Sequence, residues 1–219
     1  QYTGAVRKVV AEEIQADLVL LQEVLGHHEI HGSKLEDWPT AAKFEYLADR
    51  VWHHFAYGKN AIYTQGHHGN AILSKFPIIS WENQDVSLNR LERRGLLHAV
   101  VELPPSKTPL HVICVHLGLF ENDRKSQIKQ LGRRIAAMVP PDAPLLVGGD
   151  FNDWRERVSP VLKEQLGLEE AFLEQAGSHA RTFPSWLPVL KLDRLYYRGL
   201  ECRAASLAEG PMLRELSDH

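Results

Sequence analysis

Residues 147–154 read VGGDFNDW, directly behind the apolar run Pro144-Leu145-Leu146. An apolar run of this kind makes a buried strand, and a buried strand that ends in Asp-Phe-Asn-Asp needs a reason. In extended backbone, residues two apart point the same way. Asp150 and Asn152 therefore face one spot, while Phe151 anchors the other side in the core. A carboxylate beside an amide at a strand end suits a water, a metal or a phosphate. It equally suits an Asx turn, in which the side chain only closes its own backbone.

Outward from this stretch, the chain alternates. A helix pattern over about 4–16 places Val6, Val9, Val10 and Ile14 on one face. A strand follows over 17–24, a polar His-rich loop over 26–39 and a helix over about 40–51. Short strands are expected around 55–57, 69–74, 78–88, 96–103 and 110–117. Ile128, Leu131, Ile135 and Met138 are spaced three or four apart, which predicts a helix over 122–139 that Pro140-Pro141 ends. A strand over 144–149, a helix over 158–166 and a strand over 192–198 complete the series. No repeat, low-complexity tract or linker interrupts it, so one domain over 1–219 is expected. Consecutive strands between isolated helices do not fit pure βαβ winding. They fit an α/β (α+β) fold of two sheets packed face to face with helices outside. Arg124, Lys125, Lys129, Arg133 and Arg134 read as the solvated face of the long helix. The chain opens on a helix pattern and stops on Ser217-Asp218-His219, so a further strand is expected beyond each end.

The 219 residues carry 25 basic against 28 acidic side chains, a net charge of −3. That balance gives no support to tight, nonspecific DNA binding, yet it leaves room for a nuclease that touches a few phosphates. Cys114 and Cys202 form neither a metal-spaced pair nor a disulfide framework. No apolar stretch approaches the ~20 residues that cross a bilayer. The first residues lack the apolar core of a signal peptide. A cytoplasmic monomer with no transmembrane segment is the expectation.

Several expected strands end in polar, reactive residues. The first ends in Gln22-Glu23, another carries His116, the strand before the opening stretch ends in Asp150 and Asn152, Asp193 follows Leu192, and the chain ends in Asp218-His219. Each alone is weak: a lone strand histidine is more often a hydrogen-bonded core residue than a catalyst. Together they fit sites built at one edge of packed sheets. The residue types agree on one chemistry. Glu23 is the hard oxygen ligand that Mg²⁺ or Mn²⁺ takes, with water and substrate oxygens completing the shell. Asp150 can deprotonate a water, Asn152 can donate to a phosphate oxygen without adding charge, and His116 and His219 can hold negative charge on a phosphoryl group. No P-loop, GxSxG elbow, HExxH or paired CxxC competes with this reading.

The segments LLQEV (20–24), HGNAILSKFPI (68–78), VICVHLG (112–118), VGGDFND (147–153), LDRLYY (192–197) and the closing SDH (217–219) resemble those of the endonuclease/exonuclease/phosphatase superfamily, in its order and over nearly the whole chain. The resemblance implies a four-layer α/β/β/α sandwich of the DNase I-like type and a metal-dependent phosphoester hydrolase. It makes Glu23 the metal-binding glutamate and Asp150 the residue that activates water, with Asn152 and His116 at the phosphate. Asp218 and His219 resemble the closing Asp-His pair, Asp218 on the metal side, and Asp193 resembles the carboxylate that orients His219. Asn70, inside the second segment, falls on the substrate side. One departure matters: the family's asparagine at the end of its first strand has no counterpart before Glu23.

The substrate is not named by these motifs, because the family spans DNA, RNA, phospholipid head groups and inositol phosphates. Trp154 and Arg155 could stack on and clamp a substrate group, or could be local packing and a solvated charge. Arg94 could reach a phosphate, although a surface ion pair is the plainer reading. The histidines of GHHEIHG (26–32) and GHHG (66–69) lack zinc spacing and read as polar loop residues near the cleft. A phospholipid or inositol-phosphate esterase, a non-catalytic binding module and a zinc-binding regulator stand as alternatives to a nuclease.

Overall fold

The computed structural model describes residues 14–28, 51–63, 66–90, 92–208 and 217–219. The helices expected over 4–16 and 40–51 lie almost wholly outside the described residues. Within them the strands are β1 (Leu18–His28), β2 (His54–Tyr63), β3 (Gly66–Ser74), β4 (Ile78–Asp85), β5 (Gly95–Leu103), β6 (Thr108–His116), β7 (Leu145–Asp150), β8 (Glu169–Glu170) and β9 (Asp193–Arg198). The helices are α1 (Glu121–Met138), α2 (Val158–Leu166) and α3 (Ala171–Ala176).

These strands form two sheets, ordered β1-β3-β2 and β4-β5-β6-β7-β9-β8. They pack face to face because β5 and β6 are apolar on both sides. Leu97, Ala99, Val101, Val112 and Cys114 point toward Ala56 and Ile72 of the smaller sheet. Leu96, Ile113 and Val115 point the other way, onto Ile128, Leu131 and Ile135 of α1 and Leu162 of α2. On the far side of the smaller sheet, Leu73 packs with Trp52, Val19 and Leu21. This is the sandwich that the strand pattern predicts. None of the helices among the described residues is long and apolar enough to cross a membrane.

One pairing decides where the site forms. β6 and β7 are parallel, whereas the other strand pairs are antiparallel. A parallel pair needs a long crossover, and α1 supplies it. The register then sets His116 beside Asp150, and Asp150 beside Asp193. Close approach of β7 to β6 requires Gly149: its φ is +135°, and a Cβ there would lie 2.0 Å from the Val115 carbonyl oxygen.

Several expectations are corrected. GHHG lies inside β3, and β1 runs on through the first residues of GHHEIHG. Antiparallel pairing of β3 with β1 and β2 holds both segments extended, which overrides their polar composition. The remainder of GHHEIHG is outside the described residues. β4 stops at Asp85, whose side chain accepts from the Ser87 N–H at 2.8 Å and turns the chain. The basic residues of α1 do not all form a solvated face. Arg124 is buried and donates to the Gly118 carbonyl. Arg134 folds under the helix to His98 and Glu82. β8 and α3 are too short for any periodicity to reveal them.

Candidate active site

Adjacent ends of β6, β7 and β9 bring His116, Asp150 and Asp193 to one edge of the larger sheet. Asp150 Oδ1 accepts from the Asn152 N–H at 2.7 Å, so the opening stretch does contain an Asx-type closure. It does more than that. Asn152 has a φ of +50°, which turns its amide back so that Nδ2 donates to Asp150 Oδ2 and to the Leu117 carbonyl, both at 2.9 Å. Asn152 thus orients Asp150 in this arrangement. Burial, then the negative charge of Asp193, raise the Asp150 carboxyl to about 7. A carboxylate poised there can take a proton from water near neutral pH.

His116 lies between Asp150 and Glu23, with Nε2 3.4 Å from Asp150 Oδ2 and Nδ1 3.9 Å from Glu23 Oε1. Burial, with the charge of Arg94 next, lowers it to about 3, so it is a neutral imidazole. His219 is the opposite case. Its Nδ1 sits 2.7 Å from Asp193 Oδ2. Burial alone would lower it, but the hydrogen bond and charge of Asp193 raise it to about 9. The ring lies against Phe183, 4.9 Å between centroids. Ser185 holds the segment in place, donating from its N–H to the Asp218 carbonyl and from its hydroxyl to the Ser217 carbonyl, both at 2.7 Å.

Glu23 reaches this edge from the smaller sheet. The β1–β3 register breaks between Leu21 and Val24, and Glu23 has a φ of +55°. Such a bulge re-aims a side chain and carries backbone strain of the sort found at functional sites. Its carboxylate is solvent-exposed. Among the described residues no group of three or more His, Cys, Asp or Glu could hold a metal ion. The donor set fits a hydrated hard cation instead, bound through Glu23 with water and substrate oxygens. Asp218, the other expected ligand, has an exposed side chain.

The substrate-side residues divide. Arg94 is not in a surface pair. It is buried beside a largely buried Glu92, at 3.9 Å, and its charge bears on His116, His68 and Asp150. Asn70 is fully buried between the sheets, where Nδ2 donates to the Gly95 carbonyl at 3.0 Å. Among the described residues the donor Arg94 Nε and the acceptor Asn70 Oδ1 are buried without a hydrogen-bond partner; a bound water relieves either, an anion only the arginine. Trp154 is exposed, with the Arg155 guanidinium 4.4 Å from its ring and Arg155 also 3.3 Å from Glu121.

His68, within the GHHG expected near the cleft, is close enough for the charges of Glu23 and Arg94 to bear on it. One feature has no signal in the sequence. Arg194 turns away from its neighbour Asp193 into a buried network with Ser159, His179 and Glu170. The partners in that network are 9–35 positions apart, beyond any local pattern.

The sequence and the fold have counterparts in known proteins. An uncharacterized protein, YbhP, of Escherichia coli (strain K12) is 46% identical over 206 residues, 94% of this chain and 81% of YbhP. The crystal structure of an endonuclease/exonuclease/phosphatase from Beutenbergia cavernae matches 90% of this chain with a TM-score of 0.69 and 17% identity; the chain spans 58% of that protein. D. rerio TDP2, solved with a single-strand DNA product, matches 90% of this chain with a TM-score of 0.62 and 19% identity; the chain spans 76% of that protein. The endonuclease/exonuclease/phosphatase family model matches residues 3–219. With the motifs, the sandwich and this match over nearly every residue in agreement, the chain belongs to the endonuclease/exonuclease/phosphatase family, a family of phosphoesterase- and nuclease-type hydrolases.

Proposed function

We propose that this protein is a divalent-metal-dependent phosphoester hydrolase that attacks phosphorus with water. The observation that carries the reading is a buried Asp150, raised to about 7, at the same edge as a His219 held by Asp193 at 2.7 Å. Asp150 takes the proton of the attacking water as its oxygen bonds to phosphorus and the ester oxygen departs. Asn152 keeps that carboxylate in its productive rotamer through Nδ2. His219, protonated through its partnership with Asp193, donates from Nε2 to a phosphoryl oxygen, where fixed donors contribute several kcal/mol. Neutral His116 donates from one ring nitrogen, and Arg94 adds positive charge behind it. Glu23, and Asp218 as the second carboxylate that the family resemblance implies, would hold Mg²⁺ or Mn²⁺, which when bound supplies Lewis-acid charge to the phosphoryl oxygens.

The substrate reading begins with phosphodiesters of nucleic acid, as in the DNA product of TDP2. A second reading, a phospholipid ester, is favoured by an apolar rim. Phe120, Trp154 and Trp186 are 65%, 51% and 72% exposed. They sit on loops leaving His116, leaving Asn152 and joined through Ser185 to the His219 segment. Turnover of bis-p-nitrophenyl phosphate, plasmid DNA, RNA and phospholipid vesicles with Mg²⁺ or Mn²⁺ tests both. Asp150→Asn should lose about 10²–10⁴ in rate on whichever ester is cleaved. Equal rates for wild type and Asp150→Asn on every ester would overturn the mechanism.

A further inference from the structure

Ser159, His179 and Glu170 line up in the order of a nucleophilic triad, yet they do different work. Ser159 Oγ lies 2.9 Å from His179 Nε2, and His179 Nδ1 lies 2.9 Å from Glu170 Oε2. All three are buried, and Ser159 Oγ is also 2.7 Å from the Tyr196 hydroxyl. A serine so enclosed reaches no substrate. The guanidinium of Arg194 completes the network, with Nη1 3.1 Å from both Ser159 Oγ and His179 Nε2. Arginine has no acceptor, so His179 Nε2 must accept and Nδ1 must carry the hydrogen donated to Glu170. Burial works against the Glu170 charge, but His179 and the Leu173 N–H hold its carboxyl below the ordinary range. The network is therefore a fixed chain: Glu170 sets the His179 tautomer, and His179 with Ser159 fixes one end of the guanidinium.

Its other end faces the site. Arg194 Nη2 donates to the Asp153 carbonyl at 2.7 Å and to the Lys191 carbonyl at 2.9 Å. Asp153 immediately follows the turn that carries Asp150 and Asn152, and Lys191 lies two residues before Asp193. The Asp153 carboxylate meanwhile accepts from the Val158 N–H at 2.8 Å and anchors the start of α2. We propose that Arg194 is a positioning residue: gripped by Ser159 and by a His179 that Glu170 orients, it sets the Asp150–Asn152 turn against the Asp193–His219 pair. The proposal rests on the hydrolase reading above. Misplacing a catalytic group by 1 Å can cost about 10²-fold in rate, and a planar fork that holds two carbonyls with Nη2 while Nη1 bonds Ser159 and His179 is what a lysine cannot reproduce.

Arg194→Met, Arg194→Lys and Ser159→Ala should be compared with wild type by Mn²⁺-supported hydrolysis of bis-p-nitrophenyl phosphate and by amide hydrogen exchange. In folded Arg194→Met, kcat should fall at least about tenfold with KM within about twofold. Arg194→Lys should recover part of that loss, and Ser159→Ala should show a smaller fall. Exchange should rise at 150–153 and 191–193 while α1 and β4–β5 keep their protection. Should Arg194→Met not fold, Arg194→Lys and Ser159→Ala carry the same pattern at smaller amplitude. An unchanged kcat in folded variants overturns the proposal. So does exchange that is unchanged at the two segments, or that rises equally everywhere, as for a merely structural residue. A wild type without turnover on any ester would refute the hydrolase reading, and the exchange pattern would then decide the positioning claim by itself.

Discussion

Acid should weaken this fold through a pair of histidines beneath α1. His98 Nε2 lies 2.9 Å from His111 Nδ1, and Arg134 Nε donates to His98 Nδ1 at 3.3 Å. Because the arginine can only donate, His98 must accept on Nδ1 and donate from Nε2. A second proton on His98 would face the guanidinium. Burial first, then Arg134 and His111, lower His98 to about 4, with Glu82 opposing. Burial and the charge of Arg198 also lower His111. A histidine whose folded pKa lies below its unfolded value contributes stability that is fully present above the unfolded pKa. That stability is lost as pH falls toward the folded pKa. For His98 the window runs from 6.5 down to about 4. At about 1.4 kcal/mol per pH unit, a fall from pH 7 to 4.5 removes up to roughly 3 kcal/mol. Residual solvent screening discounts this to about 2 kcal/mol, a large share of a typical stability of about 5–15 kcal/mol. His98→Gln keeps a donor for His111 and an acceptor for Arg134 but cannot titrate. Urea unfolding at pH 7 and 4.5 should show the variant losing about 2 kcal/mol less than wild type. Parallel losses in the two proteins would refute the reasoning.

Glu23→Gln should leave the melting temperature in place and raise the Mg²⁺ or Mn²⁺ concentration that gives half-maximal hydrolysis; an unchanged metal titration removes Glu23 from the site. Asp193→Asn takes away the partner that keeps His219 protonated, so kcat should fall about 10²-fold or more while the metal titration stays nearly constant. Wild-type kcat in that variant would show the pair to be inert. Gly149→Ala forces a Cβ to 2.0 Å from the Val115 carbonyl oxygen and should cost more than about 3 kcal/mol, read as a large fall in melting temperature or loss of soluble protein. A melting temperature near that of wild type would show that β6 and β7 can move apart.

Local patterns in the sequence determined the strands on either side of the opening stretch, the long amphipathic helix and the two-sheet class. They did so because apolar alternation and helical spacing act between residues a few positions apart. Motif chemistry also singled out Asp150, Asn152, Asp193 and His219 one by one. Their assembly is a tertiary matter. The α1 crossover makes β6 and β7 parallel and sets His116 beside Asp150, a register that no stretch of either strand encodes alone. The 26-residue separation of Asp193 and His219 closes to 2.7 Å only because the loop around Ser185 holds the closing segment. The same holds for residues whose sequence reading failed. Arg94, Arg124 and Arg134 look like surface charges in one dimension. Each is drawn inward by carbonyls, a carboxylate or an imidazole from distant segments. The polar GHHG becomes a strand because β1 and β2 pair with it on both sides. A charge or a polar run states what it can bond to; only the packed sheets determine which partner comes within reach, because burial penalises every polar group left without one.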